Sequence, residues 1–111
     1  MLILINMKIQ ITVNNFELTD SMRYLIEEKM SPKIDQLLKN FSSEMKTASV
    51  HIEKEKHDIF KVNFDIKLPG KEHIYSETRH KIFESAIIDL TQQIERQIKK
   101  YRQELVNYSL G

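Results

Sequence analysis

Ile9, Ile11 and Val13 alternate with Lys8, Gln10 and Thr12 near the start of the chain. A period of two sends successive side chains to opposite faces, so this stretch predicts a strand with one buried side. Asn14 and Asn15 end it. From Thr19 the period lengthens. Met22, Leu25, Ile26, Met30, Ile34, Leu37, Leu38 and Phe41 recur at steps of three and four, which is one apolar face of a long helix. Thr19 is placed to cap it, Asp20 to complement its positive end, and Leu18 to act as a staple. Pro32 interrupts the pattern. A proline inside a helix costs about 3 kcal/mol, yet Ser31-Pro32 is also a good cap followed by a good first position. The expectation is a kink, or two abutting helices, at Met30–Lys33. Because the periodicity keeps its phase, both halves face one core.

The period returns to two at Thr47, where Ala48, Val50 and Ile52 alternate with Ser49, His51 and Glu53. Lys54 to Asp58 reads as a polar connection. Phe60, Val62, Phe64, Ile66 and Leu68 then alternate with Lys61, Asn63, Asp65 and Lys67, the cleanest strand in the chain. Pro69-Gly70-Lys71-Glu72 forms a turn, and His73 to Ser76 returns as a fourth strand. From about Thr78 the period becomes helical. Phe83, Ile87, Leu90, Ile94, Ile98, Tyr101 and Leu105 make a second apolar stripe, running to about Val106. The element order is β-α-β-β-β-α. It predicts an α+β fold: a two-layer sandwich whose four-stranded sheet carries two long helices packed on one face. Strands two to four read as an antiparallel meander.

A chain of 111 residues fits one domain, 1–111. Residues 1–6 read as a start-site extension, with Met7 as an alternative start, and 107–111 as a C-terminal tail. The chain has no cysteine, which excludes disulfides, Cys-based zinc sites and a thiol nucleophile, and fits a reducing cytoplasm. No apolar run approaches the ~20 residues of a membrane span, so no membrane partner is expected. Two glycines leave no room for a phosphate-binding loop or a nucleophile elbow. None of the histidines (His51, His57, His73 and His80) stands at the spacing of a helical metal motif. Glu53 and Glu55 share a strand face, where a solvated strand end explains them. The expectation is no cofactor, no metal, no small-molecule substrate and no enzymatic activity.

A net charge of only +1 does not by itself favour a nucleic-acid partner. The placement of the cations does more. Arg96, Lys99, Lys100 and Arg102 fall within seven residues of the second helix. Spacings of three and four put Arg96, Lys99 and Lys100 on one surface. Arg79 and Lys81 add charge near the start of that helix, and Arg23, Lys29 and Lys33 form a looser set on the first. Groups clustered in this way attract phosphates and displace counterions. The plainer reading is an ordinary charged face in which Glu95 and Glu104 are i,i+4-type neighbours. Tyr24 lies off its stripe and could stack on a base, whereas Tyr101 lies in the stripe and belongs to the core.

These residues resemble a known family. Ile11-Thr12-Val13-Asn14-Asn15-Phe16-Glu17-Leu18-Thr19 is similar to the opening of the ribosome hibernation promoting factor and ribosome-associated inhibitor proteins. Ile94-Glu95-Arg96-Gln97-Ile98-Lys99-Lys100-Tyr101 is similar to their last-helix run. Arg23 falls on a usual arginine, and Lys29 and Lys33 match basic positions if one residue near Pro32 is an insertion. The segment His80–Asp89 departs from the family pattern. The resemblance implies a fold akin to the double-stranded-RNA-binding domain. It also implies a protein that lodges in the small ribosomal subunit, alone or within the full ribosome, on ribosomal RNA. There it would cover the messenger and transfer RNA decoding channel and reversibly stop translation in stationary phase or stress. It implies an indirect partnership with a ribosome modulation factor. Arg23, Lys29, Lys33, Arg79, Arg96, Lys99, Lys100 and Arg102 are the candidate RNA-binding residues. The alternative is a generic double-stranded-RNA-binding or protein-interaction module of the same fold.

Overall fold

The computed structural model describes residues 8–39, 47–68 and 72–110. Residues 1–6, Phe41 and the first three residues of the turn expected at 69–72 lie outside these, and Glu72 belongs to the fourth strand. The strands are β1 (Lys8–Asn14), β2 (Thr47–Glu55), β3 (Ile59–Leu68) and β4 (Glu72–His80), side by side in that order. β1 runs parallel to β2, with Ile11 opposite Val50. β2, β3 and β4 form the expected antiparallel meander, with Val50 opposite Phe64 and Phe64 opposite Ser76. A parallel pair needs a crossover, and the first helix supplies it.

Strand alternation sorts the sheet into two faces. Val50, Ile52, Val62, Phe64, Ile66 and Ile74 are buried on the helix side. Their neighbours Ser49, His51, Lys61, Asp65, His73 and Tyr75 point the other way. Several boundaries differ from expectation. β4 continues past Ser76 to His80, so Thr78 is a buried strand residue paired with Val62 and not the beginning of a helix. A β-branched side chain suits that position, and its hydroxyl finds an acceptor there. The last helix, α3, spans Phe83–Leu110, so the expected tail from 107 is helical through Leu110. The β2–β3 connection is also tighter than Lys54–Asp58. β2 reaches Glu55, and His57 and Asp58 turn the chain with φ of 63° and 57°. His and Asp are among the side chains that tolerate this left-handed region.

The first helix is α1 (Asp20–Tyr24), a π-helical turn (Leu25–Met30) and α2 (Ser31–Leu37), end to end. Thr19 caps it as expected, its Oγ1 accepting the Met22 N–H at 3.1 Å. As expected, two helical segments abut within Met30–Lys33, and a wide turn ends there just before Pro32. The Ser31 N–H donates to the Ile26 carbonyl five residues back. Pro32, with no N–H to offer, then sits in the first turn of α2. The core residues explain the wide turn. Ile26, Met30, Ile34 and Leu38 are fully buried and spaced by four. In a regular α-helix each four-residue step overshoots a full turn by about 40°. A π turn takes more residues per turn and cancels part of that drift. The four side chains thus share one face.

The helices and sheet enclose one core, in which Phe64, Leu90, Ile94 and Ile98 are among the buried residues. One end of the sandwich is closed by an aromatic chain. Phe16 meets Phe60 edge-on at 5.7 Å, and Phe60 meets Phe83 edge-on at 5.6 Å. That arrangement favours the ring quadrupoles and ties the β1 loop, β3 and α3 together.

Candidate nucleic-acid interface

The core stripe of α3 fixes what its outer side presents. With Ile94, Ile98 and Tyr101 buried, Arg96, Lys99 and Lys100 are exposed. At about 100° per residue they span an arc of about 100° on the helix surface. Arg96 and Lys100 have no carboxylate partner among the described residues. With Gln93 and Gln97 they line a shallow depression beside β4. Lys100 also borders an adjoining one with Ile74, Tyr101 and Glu104. Gln97 fixes this flank: its Nε2 donates to the Tyr75 carbonyl at 2.8 Å and to Ser76 Oγ at 2.6 Å. One open carbonyl of the edge strand is thereby satisfied.

The opposite flank of α3 meets the first helix. Glu95 Oε1 lies 3.4 Å from Lys33 Nζ, and Oε2 lies 3.1 Å from Lys99 Nζ. The hydrogen bond from Lys99, joined by Lys33, holds the Glu95 carboxyl below its ordinary value despite some desolvation. Lys33 is thus brought beside the α3 cations. Arg102 is exposed and reaches back toward the same seam, its Nη1 3.4 Å from the Leu37 carbonyl at the end of α2. A cation there also meets the negative end of the helix dipole. Arg102 therefore does not extend the outer arc.

Arg79 stands four residues before α3, as expected, but its side chain does not join the helix cations. It lies on β4, and strand alternation sends it to the sheet face away from the helices. Its Nε donates to Glu55 at 3.0 Å and its Nη1 to Glu77 at 2.9 Å. The hydrogen bond to Glu55 is the main reason its guanidinium holds its proton more tightly than usual. Lys61 also reaches Glu77 at 3.9 Å, and His73 pairs with Asp65. On the first helix Arg23 lies 3.7 Å from Glu27, and Lys29 is exposed with no carboxylate partner among the described residues. Tyr24 is exposed as expected, and Tyr101 is buried in the core.

Sequence reading passed over Glu95, Gln97 and Asp89 as working residues. Asp89 accepts a hydrogen bond from Thr78 Oγ1 at 2.7 Å and lies 3.2 Å from His80 Nε2. The bond from Thr78, then that from His80, holds its carboxyl below the ordinary value. The divergent segment His80–Asp89 therefore closes on itself, pinning the second turn of α3 to the end of β4. The Glu95–Lys99 spacing was a visible signal. Its continuation to Lys33, and the contact of Gln97 with β4, depend on the fold. Among the described residues no three metal-ligating side chains cluster, and no helix is long and apolar enough to cross a membrane.

Comparisons with known proteins fit this architecture. The family model described as sigma 54 modulation protein / S30EA ribosomal protein matches residues 9–106. Among curated proteins, none matches the chain. A solved structure of a ribosomal subunit interface protein from Coxiella burnetii has the same fold, with a TM-score of 0.67 and 20% sequence identity. The match covers 87% of this chain and 99% of that one.

Proposed function

Because the chain belongs to the sigma 54 modulation protein / S30EA ribosomal protein family, we propose that it is a ribosome-associated modulator of translation. In this reading it is a cytoplasmic, non-enzymatic protein that binds ribosomal RNA of the small subunit within the decoding channel. It blocks the path of messenger and transfer RNA reversibly in stationary phase or stress. The observation that carries the reading is the outward cationic arc on α3, where Arg96 and Lys100 stand unneutralised beside Lys99. Unpaired cations on a rigid rod suit the phosphates of folded RNA, which proteins recognise mostly by shape and backbone. Lys33 joins that surface from the first helix, on which Lys29 and Arg23 are also exposed. Support also comes from the likeness to the Coxiella burnetii ribosomal subunit interface protein.

Sedimentation tests it. The purified protein is expected to travel with small subunits and full ribosomes at low salt and to be released at high salt. Combined Arg96→Glu, Lys99→Glu and Lys100→Glu substitutions are expected to abolish that association while leaving the circular-dichroism spectrum intact. Free migration at every salt concentration overturns the proposal. Equal affinity for a plain RNA duplex and for ribosomes marks instead a generic double-stranded-RNA-binding module.

A further inference from the structure

Glu95 sits in the seam beside the cationic surface and carries the opposite sign. Its side chain keeps only 22% exposure, whereas Lys33 keeps 52% and Lys99 63%. Its two oxygens are divided between two elements, one serving Lys33 of the first helix and the other Lys99 of α3. An ammonium has three N–H donors, and a bond to Glu95 engages one of them. Both lysines therefore keep outward donors for a further oxygen.

We infer that Glu95 is a positioning residue, holding Lys33 and Lys99 as a pre-set pair across the two helices to receive the phosphates of a bound RNA. The inference rests on the RNA-binding reading above. A free lysine must surrender its rotamer freedom when it grips a phosphate, whereas a tethered one has already surrendered it on folding. The tether requires an ionised Glu95, which any glutamate is at neutral pH, and the two ammonium groups lower its carboxyl further. A carboxylate that merely offset nearby charge would repel RNA. Counter-charge and positioning therefore predict opposite signs for the same substitution.

The test is Glu95→Gln, measured for binding to ribosomes and to a plain RNA duplex across a salt series. The variant is expected to bind about 3- to 10-fold more weakly despite its added positive charge, with a log-affinity slope shallower by about one counterion. Lys33→Met is expected to weaken binding similarly, and the double variant to lose little beyond either single change. On the free protein, acylation of Lys33 and Lys99 by a small amine-reactive ester, read by mass spectrometry, is expected to be faster at both residues in Glu95→Gln. Equal or tighter binding by Glu95→Gln, additive losses, or unchanged acylation overturns the inference while RNA binding stands. A wild-type protein that binds neither ribosomes nor duplex overturns the functional reading, and the role of Glu95 with it.

Discussion

The two faces of this molecule carry similar kinds of charge and treat them differently. On the open side of the sheet, Arg79 is shared between Glu55 and Glu77, Lys61 reaches Glu77, and His73 pairs with Asp65. On the outer side of α3, Arg96 and Lys100 meet no carboxylate among the described residues. The sheet face brings opposite charges together across neighbouring strands, where Lys61 and Arg79 lie opposite one another with Glu77 close by. The helix face spreads like charges along one rod, with its acid, Glu95, drawn aside into the seam. A net charge of +1 thus hides an electrostatic asymmetry. The number of cations on a surface says less about its partners than how many are already satisfied.

That contrast can be broken in several ways. The largest effect is expected in the interior that supports both faces. Ile94→Ala should cost about 2–5 kcal/mol in chemical denaturation, with binding per folded molecule unchanged. A loss of binding beyond the loss of folded protein would place the core within the interface. Next, Arg96→Glu with Lys100→Glu should weaken ribosome binding by about 100-fold, or about 2.7 kcal/mol, in a salt-sensitive manner. Arg79→Glu with Lys61→Glu should change it by less than about 3-fold, and the reverse ranking would move the interface to the sheet. Stability should show the opposite preference. Arg79→Ala is expected to lower Tm measurably by releasing Glu55 and Glu77, while Arg96→Ala and Lys100→Ala leave Tm unchanged.

Acid should give the smallest effect and sharpen the comparison further. The carboxyls of Asp89 and Glu95 sit below their ordinary values of 3.8 and 4.5. A depressed carboxyl stabilises the fold above its unfolded value and loses that contribution as pH falls through the folded one. Thermal melts are therefore expected to be level above about pH 5 and to decline below about pH 4. Glu95→Gln should flatten part of that decline, and an unchanged profile would remove Glu95 from the balance.

Much of the fold was legible because its strands and helices follow strict periods. Phe60 to Leu68 alternates without exception and forms β3. The stripe from Phe83 to Tyr101 becomes the buried side of α3. Errors arose where two periods meet. Thr78 fits either element, and only its place opposite Val62 and its bond to Asp89 assign it to the sheet. Arg79 is near the helix cations along the chain. One residue of alternation sends it to the far face. Arg96 and Lys100 were legible as exposed cations because the apolar stripe fixes the helix phase. Their unpaired state was not, since it depends on which carboxylates the fold brings near. The Lys33–Glu95 contact joins distant parts of the chain, so no local spacing could announce it.

The wide turn at Leu25–Met30 works as an expansion joint. It keeps Ile26 and Met30 on the buried side while the outer positions shift around the rod. Lys29 rides within the joint and Lys33 lies just beyond it. Gaining or losing a single residue at this place would rotate one cation relative to the other above an unaltered interior.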